Sequence, residues 1–271
     1  MRQLRVLLAV VTSVVLTGCI NSTTLIKVKA DGSGIVEQTT LMNVKAMKSM
    51  MPGMQQSQSG QAPNVVNKAD LERTAARMGK GVRLLSAEPA KDASGFEGVK
   101  ATFEFDDINQ IQVSQDPNMS GGNSDARLAT EPTRDDPVKF KLTRTGGTSV
   151  LTINFTDKPG GGGDTPGQAG DMPDLTNPMI MGMIKNMMKG FKINIGLEVL
   201  GSIVKTNAEY VDGPRITLLE MDLEGLLADE AKFKALQGKL GPDASLSEVK
   251  PYLKDIKGIK IDGPSISVEF K

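Results

Sequence analysis

Residues 24–42 read TLIKVKADGSGIVEQTTLM, and this stretch decides the fold class because it holds two strand-like runs around a turn. In the first run, apolar residues alternate with Lys27 and Lys29. Asp31-Gly32-Ser33-Gly34 follows, and an Asp-Gly pair between two such runs is typical of a β-hairpin. The stretch therefore predicts an antiparallel hairpin near the start of the folded chain.

A second stretch, residues 191–199, alternates with strict period two. The apolar positions are Phe191, Ile193, Ile195, Leu197 and Val199. Polar side chains stand at Lys192, Asn194 and Glu198 between them. This pattern is typical of an antiparallel strand with one buried face.

Further strands and turns are predicted on both sides of these two stretches. Strands are expected at residues 82–87, 99–105, 138–142, 151–155, 203–210, 215–223, 259–261 and 266–270. Turns are expected at Gly146-Gly147, Gly201-Ser202, Asp212-Gly213 and Asp262-Gly263, the last closing a terminal hairpin.

Helices are predicted at residues 43–51, 174–189, 228–240 and 246–253, and over a segment that ends at Met78. Asn67 or Asp70 is the expected N-cap of that segment, and Gly79 is its expected end. Strands with short turns and interposed helices predict an α+β fold. We expect an antiparallel sheet of hairpins covered on one face by several helices. Two arrangements stay open: two lobes, or N-terminal strands that join the C-terminal sheet.

The chain divides by composition. Residues 1–18 form an expected signal peptide, and residues 19–156 an N-terminal α+β part with a mobile loop at 114–136. Residues 157–173 are rich in Gly and Pro, including four consecutive glycines, and are expected to be a flexible linker. Residues 174–271 form a C-terminal α+β part.

The first twenty residues carry an export signal. Arg2 and Arg5 precede an apolar run, as in a secretory signal. The run is about half the roughly 20 residues that a spanning helix needs, so a permanent transmembrane anchor is not expected. It ends in Leu16-Thr17-Gly18-Cys19, which resembles the bacterial lipobox.

The lipobox resemblance implies that Cys19 is acylated and becomes the first residue of a lipoprotein. It implies a diacylglyceryl group on the thiol and usually an acyl chain, such as palmitate, on the new amino group. Two or three chains anchor a protein stably, whereas one binds reversibly. Ile20 stands where some inner-membrane lipoproteins have Asp, which favours the periplasmic face of the outer membrane.

Composition argues against most enzyme classes. The chain has no His and one Cys, which excludes Ser-His-Asp and Cys-His catalysis and removes the commonest metal ligand. Walker A, G-x-S-x-G and dinucleotide motifs are absent, and no cofactor is predicted. With no Trp and two Tyr, it lacks the aromatic platforms of most glycosidases. Lys and Arg number 32, as do Asp and Glu, and nothing suggests nucleic-acid binding. We predict that the protein is not an enzyme.

The layout resembles the LppM-like bacterial lipoproteins. The matching features are the lipobox cysteine, the early strand with Asp31-Gly32-Ser33-Gly34, and Leu200-Gly201-Ser202-Ile203-Val204-Lys205-Thr206-Asn207-Ala208. The last segment is similar to that family's Gly–Ile–x–x–x–Asn–Ala hairpin. The resemblance implies a sheet-and-helix fold with an apolar cavity suited to lipid-like ligands, and it supplies no catalytic residues. The Met-rich segments and the long polar loops depart from the family pattern.

The chain is unusually rich in methionine, with 15 residues. One cluster is Met42, Met47, Met50, Met51 and Met54, and the other is Met179, Met181, Met183, Met187 and Met188. Positions 47, 50, 51 and 54 share one helical face, although Pro52 interrupts it. Three interpretations stay open: core packing, an adaptable apolar groove, and a Cu(I) site made of thioethers.

These observations predict a membrane-tethered, non-enzymatic lipoprotein that binds a lipid, another amphiphile or an apolar segment in a Met-lined groove. The candidate groove residues are Met47, Met50, Met51, Met183, Met187 and Met188. The alternatives are a periplasmic Cu(I)-binding protein, or a structural lipoprotein that docks an envelope partner.

The lipobox predicts the effect of replacing Cys19. Replacing Cys19 with Ser removes the thiol that accepts the lipid, so lipid attachment should be lost and the protein released or mislocalised. Metabolic labelling with a fatty acid measures this directly. Undiminished labelling of Cys19→Ser would show that the lipobox is not used.

Overall fold

A computed structural model describes residues 20–43, 66–114, 138–155, 190–228 and 246–271, together with residues 182 and 231. Thirteen strands, three α-helices and one short 3₁₀ helix lie in these ranges. The strands are β1 Ile20–Val28, β2 Gly34–Met42, β3 Arg83–Lys91, β4 Glu97–Phe105, β5 Gln112–Val113, β6 Val138–Thr145, β7 Thr148–Asn154, β8 Lys192–Val199, β9 Ile203–Thr206, β10 Val211–Asp212, β11 Arg215–Asp222, β12 Ile259–Ile261 and β13 Ser265–Phe270. The helices are α1 Lys68–Met78, α2 Leu223–Ala228 and α3 Leu246–Leu253, and the 3₁₀ helix is Ile108–Gln110.

The strands form two sheets. The large sheet has the order β10-β11-β8-β1-β2-β4-β3, with β12 also paired to β11. The small sheet has the order β5-β6-β7-β13-β9. Each sheet therefore combines strands from before residue 156 with strands from after residue 190.

The expectation of a helix-covered antiparallel sheet is wrong. The described fold is mostly β, and a second sheet contributes to the core where helices were expected. Fully buried Ile26 and Phe103 of the large sheet share one apolar cluster with Leu151 and Phe270 of the small sheet. Period-two alternation shows that each strand has one buried face, but it does not say whether a helix or another sheet buries that face.

One strand pair is parallel. β8 lies parallel to β1, in register from Asn21–Lys192 to Val28–Val199, although the period-two pattern was interpreted as antiparallel. β11, on its other side, is antiparallel to it. Burial alternates along β8 as expected, because both arrangements place successive side chains on opposite faces.

Two turns that were predicted within hairpins instead carry the chain between sheets. Gly201-Ser202 connects β8 of the large sheet to β9 of the small sheet. Asp262-Gly263 likewise leads from β12 to β13, so the expected terminal hairpin does not form. By contrast, the hairpins at Gly146-Gly147 and Asp212-Gly213 are confirmed by the pairs Thr145–Thr148 and Asp212–Arg215.

Helix α1 begins and ends where its caps predicted. The Asn67 side chain accepts a hydrogen bond from the backbone N–H of Ala69 at 3.1 Å, and Gly79 follows the last turn. Its buried residues include Leu71, Ala75 and Met78. The predicted helices at 43–51, 174–189 and 228–240, the loop at 114–136 and the linker at 157–173 lie wholly or almost wholly outside the described residues. None of the helices in the described ranges is long and apolar enough to cross a bilayer.

The turn of the first hairpin packs against the small sheet. The backbone N–H of Ile108 donates to the Gly32 carbonyl at 2.8 Å, and the Ser149 hydroxyl donates to the Ala30 carbonyl at 2.7 Å. Gly32 has φ of 84°, and a Cβ there would stand 2.9 Å from Cδ2 of Leu142. This turn therefore needs glycine both for its backbone and for contact between the sheets.

Gly32→Ala should lower the free energy of unfolding by about 1–3 kcal/mol from backbone strain, with a further loss from the conflict with Leu142. Gly147→Ala is the matched control, because Gly147 has φ of 93° but no atom within 4 Å of the new Cβ. Urea unfolding of the purified variants gives both values. Equal losses would mean that contact with Leu142 contributes nothing.

Candidate functional site

The residues predicted to act, Cys19 and the six candidate groove methionines, lie outside the described ranges. The structure does place the residues that flank them. Ile20 follows Cys19 and is the first residue of β1. Met42 ends β2 just before the first Met-rich segment, and Lys192 begins β8 just after the second.

These flanking residues lie side by side at one end of the large sheet. Ile20 pairs with Met42, and Asn21 pairs with Lys192. The segments that carry Cys19 and both Met clusters therefore join three adjacent strands, β2, β1 and β8, at the same end. Segments more than a hundred residues apart in sequence enter the fold at one place.

The same end is flush across six strands. Met42 pairs onward with Glu97, and Glu97 with Lys91; on the other side, Lys192 pairs with Asp222. We call this row the Ile20 rim. Its residues are Lys91, Glu97, Met42, Ile20, Lys192 and Asp222.

The charges of the Ile20 rim are paired. The Lys91 ammonium lies 2.6 Å from Glu97, and the Lys192 ammonium lies 2.9 Å from Asp222. The hydrogen bond that Lys192 donates to the Asp222 carboxylate raises the pKa of Lys192. Between the two ion pairs stand Ile20, which is buried, and Met42, which is half-buried. The rim is thus neutral, with an apolar centre.

Two buried aromatic residues lie next to the rim in sequence. Phe96 and Phe191 are buried and directly precede β4 and β8. Gly190 has φ of 79°, and a Cβ there would stand 2.6 Å from Cζ of Phe96. The backbone N–H of Leu223 donates to the Phe191 carbonyl at 3.3 Å. The second Met-rich segment therefore enters β8 through a tightly packed junction.

Asp222 also begins the next helix. Its Oδ1 accepts hydrogen bonds from the backbone N–H groups of Glu224 at 3.1 Å and Gly225 at 3.3 Å. A carboxylate at this position satisfies N–H groups that a helix start leaves unpaired. One side chain thus orders both the rim and the start of α2.

Sequence reasoning missed three buried hydroxyl residues close to the rim. Ser22, Thr24 and Thr40 are 5%, 4% and 6% exposed, and Ser22 pairs with Thr40. Ser22 and Thr24 lie on the same face of β1 as buried Ile26 and Val28, and Thr40 lies opposite Ser22 on β2. Residues 21–23 are polar on both faces, so their pattern does not predict a strand. Extending the alternation of Ile26 and Val28 back to Thr24 and Ser22 is the signal that would have found the buried positions of β1.

Asp262, a buried carboxylate in the described part of the chain, has a structural role. Asp262 is 4% exposed and accepts from the backbone N–H groups of Glu209 at 3.0 Å and Gly263 at 2.8 Å. Nearby, Asn207 donates to the Ser265 carbonyl and accepts from the Ser267 N–H, which ties the end of β9 to β13. The Asn-Ala part of the family-like motif thus connects strands. Across the described ranges, no three His, Cys, Asp or Glu residues form a metal-binding group.

Comparison with known proteins shows a weak structural similarity and no sequence match. No family model matches the chain, and no curated protein does so. A solved structure that resembles it is the NMR structure of the folded domain of Mycobacterium tuberculosis LppM, with 10% identity and a TM-score of 0.35. The match covers 94% of this chain and 91% of that one. At this TM-score the likeness does not establish a common fold.

The Lys192–Asp222 pair predicts a pH dependence of stability. Because its pKa is raised on folding, Lys192 stabilises the fold fully below the ordinary lysine pKa of about 10.4. This stabilisation disappears as pH rises through the folded-state pKa. Lys192 is 49% exposed, so Lys192→Met should cost less than about 1 kcal/mol at pH 7.

Urea unfolding at neutral and strongly alkaline pH measures the difference between wild type and Lys192→Met, which should shrink as pH rises. Lys205→Met is the control, because Lys205 is exposed and forms no ion pair within the described part of the chain. A difference that grows with pH would contradict the assigned pairing.

Proposed function

We propose that this protein is a non-enzymatic lipoprotein of the bacterial envelope that binds a lipid or another amphiphile through its two Met-rich segments. It is anchored through acylated Cys19 and faces the periplasm, on the outer membrane in bacteria that have one. The observation that carries the proposal is the adjacency of Ile20, Met42 and Lys192. It brings together the residue that follows Cys19 and the strand ends to which the two Met-rich segments are joined.

The anchor follows from sequence and strand position together. The lipobox resemblance makes Cys19 the first residue after cleavage, and β1 begins at the next residue. No tether separates the acyl chains from the sheet. A ligand gathered at the Ile20 rim therefore lies at the depth where the lipids of the same membrane are available.

The ligand class follows from side-chain chemistry. Methionine is flexible and polarisable, and it accommodates apolar partners of varied shape. The charged residues of the rim itself are paired, so these six residues do not select an ionic ligand. An amphiphile with an apolar chain is the class that such surroundings bind most favourably.

A non-enzymatic role fits the available groups. Histidine is absent, and the single Cys is used by the anchor. Among the described acidic residues near the rim, Glu97 and Asp222 are held in ion pairs. Asp262 accepts backbone hydrogen bonds that join strands. None of these arrangements resembles a pair of carboxylates poised for acid–base chemistry.

Substitution of Met183, Met187 and Met188 tests this function. Serine at all three positions removes apolar contact and should strongly weaken amphiphile binding, with a smaller fall in melting temperature. Leucine keeps the apolar volume but removes sulfur, so leucine variants should retain binding. A fluorescent fatty-acid displacement assay and thermal melts measure the two effects.

The structure supplies a control for ordinary core packing. Met78 is 7% exposed in the core, so Met78→Ser should cost several kcal/mol by loss of packing and burial of a hydroxyl, without a specific loss of binding. If the Met183, Met187 and Met188 serine variant behaves like Met78→Ser, the methionines are core residues. If the leucine variant loses Cu(I) in a competition assay and no variant binds amphiphile, the copper alternative replaces this proposal.

A further inference from the structure

The Ile20 rim is wide enough for the large sheet to rest on a surface by this end. Six strand ends are in register along it, from Lys91 through Ile20 to Asp222. With neighbouring strands about 4.8 Å apart, the rim is roughly 24 Å wide. Its central residue, Ile20, is joined to Cys19 by one peptide bond.

We propose that the large sheet stands on the phospholipid surface by the Ile20 rim, with its strands directed away from the bilayer. This inference rests on the proposed acylation of Cys19. Consecutive Cα atoms are about 3.8 Å apart, so acyl chains held at Cys19 bring the rim into the headgroup region. Because Ile20 is already held in β1 by its pairing with Met42, the body cannot drift away on a flexible tether.

The chemistry of the rim suits this position. Lys91–Glu97 and Lys192–Asp222 present neutral polar pairs to the headgroups, on either side of apolar Ile20 and Met42. Because the six rim residues carry no excess positive charge, the contact that the rim makes does not depend on attraction to anionic lipids. The phospholipid surface itself, whether zwitterionic or anionic, is the partner.

This orientation determines which residues lie at the end of the large sheet farthest from the membrane. β1 has nine residues, so its far end lies about 26 Å from the rim at about 3.3 Å per residue. The first hairpin turn lies there; it contacts the 3₁₀ helix through the Ile108–Gly32 hydrogen bond and the small sheet through the Ser149–Ala30 hydrogen bond. That turn is therefore held clear of the membrane, facing the periplasm.

Single-cysteine labelling tests this orientation cleanly. Cys19 is the only natural cysteine, and its thiol is consumed as a thioether in the lipoprotein, so an introduced cysteine is the one free thiol. Ser94→Cys places a label in the exposed turn between Lys91 and Glu97 at the rim. Ala30→Cys places the same label in the exposed turn at the far end of β1.

The full-length lipidated variants are labelled with one fluorophore and reconstituted in phosphatidylcholine vesicles that contain a lipid with a nitroxide on its headgroup. The Ser94→Cys label should lose most of its fluorescence, and the Ala30→Cys label should keep nearly all of it. Replacing part of the phosphatidylcholine with phosphatidylglycerol should leave this difference unchanged.

Mass spectrometry of the same preparations tests the acylation of Cys19 separately from the orientation of the sheet. If Cys19 carries no lipid, the proposed function fails before orientation is measured. If Cys19 is acylated but the two labels are quenched equally, or the Ala30→Cys label is quenched more, the orientation is overturned and the anchor stands. A difference that appears only with phosphatidylglycerol would overturn the charge-neutral contact.

Discussion

The parallel pairing of β1 with β8 is the constraint on which the rest of the structure depends. Its ladder runs from Asn21–Lys192 to Val28–Val199 and joins strands from opposite ends of the chain. β1 brings the first hairpin and β4 into the large sheet, and β8 brings β11 and β12. Without this ladder, the two groups of strands would form separate sheets, each with an unpaired edge.

The same ladder brings three strand ends together. Because β1 and β8 run in the same direction, their first residues lie at the same end of the sheet. β2 is antiparallel to β1, so its last residue reaches that end as well. An antiparallel β1–β8 pair would place the first residue of β8 at the far end, about 26 Å from Ile20. Strand direction therefore brings Ile20, Met42 and Lys192 together.

Local chemistry predicted individual elements well. Asn67 and Gly79 marked the limits of α1, and Gly146-Gly147 marked a hairpin, because caps and tight turns depend on neighbouring residues. Prediction failed at Gly201-Ser202 and Asp262-Gly263, where a turn changes the chain's direction without determining which sheet receives the next strand. The buried hydroxyls of Ser22 and Thr40 were missed for a related reason, since their burial depends on distant chain segments.

The sequence by itself determined the lipobox-like stretch Leu16-Thr17-Gly18-Cys19, the absence of histidine, the alternation along β1 and β8 and the two Met clusters. These are properties of composition and short-range spacing, which no folding event alters. Only the tertiary structure decided that a second sheet shares the core, that β1 and β8 are parallel, and that Ile20, Met42 and Lys192 lie side by side. Strand partners are chosen by long-range burial and backbone hydrogen bonding, which a period-two pattern permits in many arrangements and specifies in none.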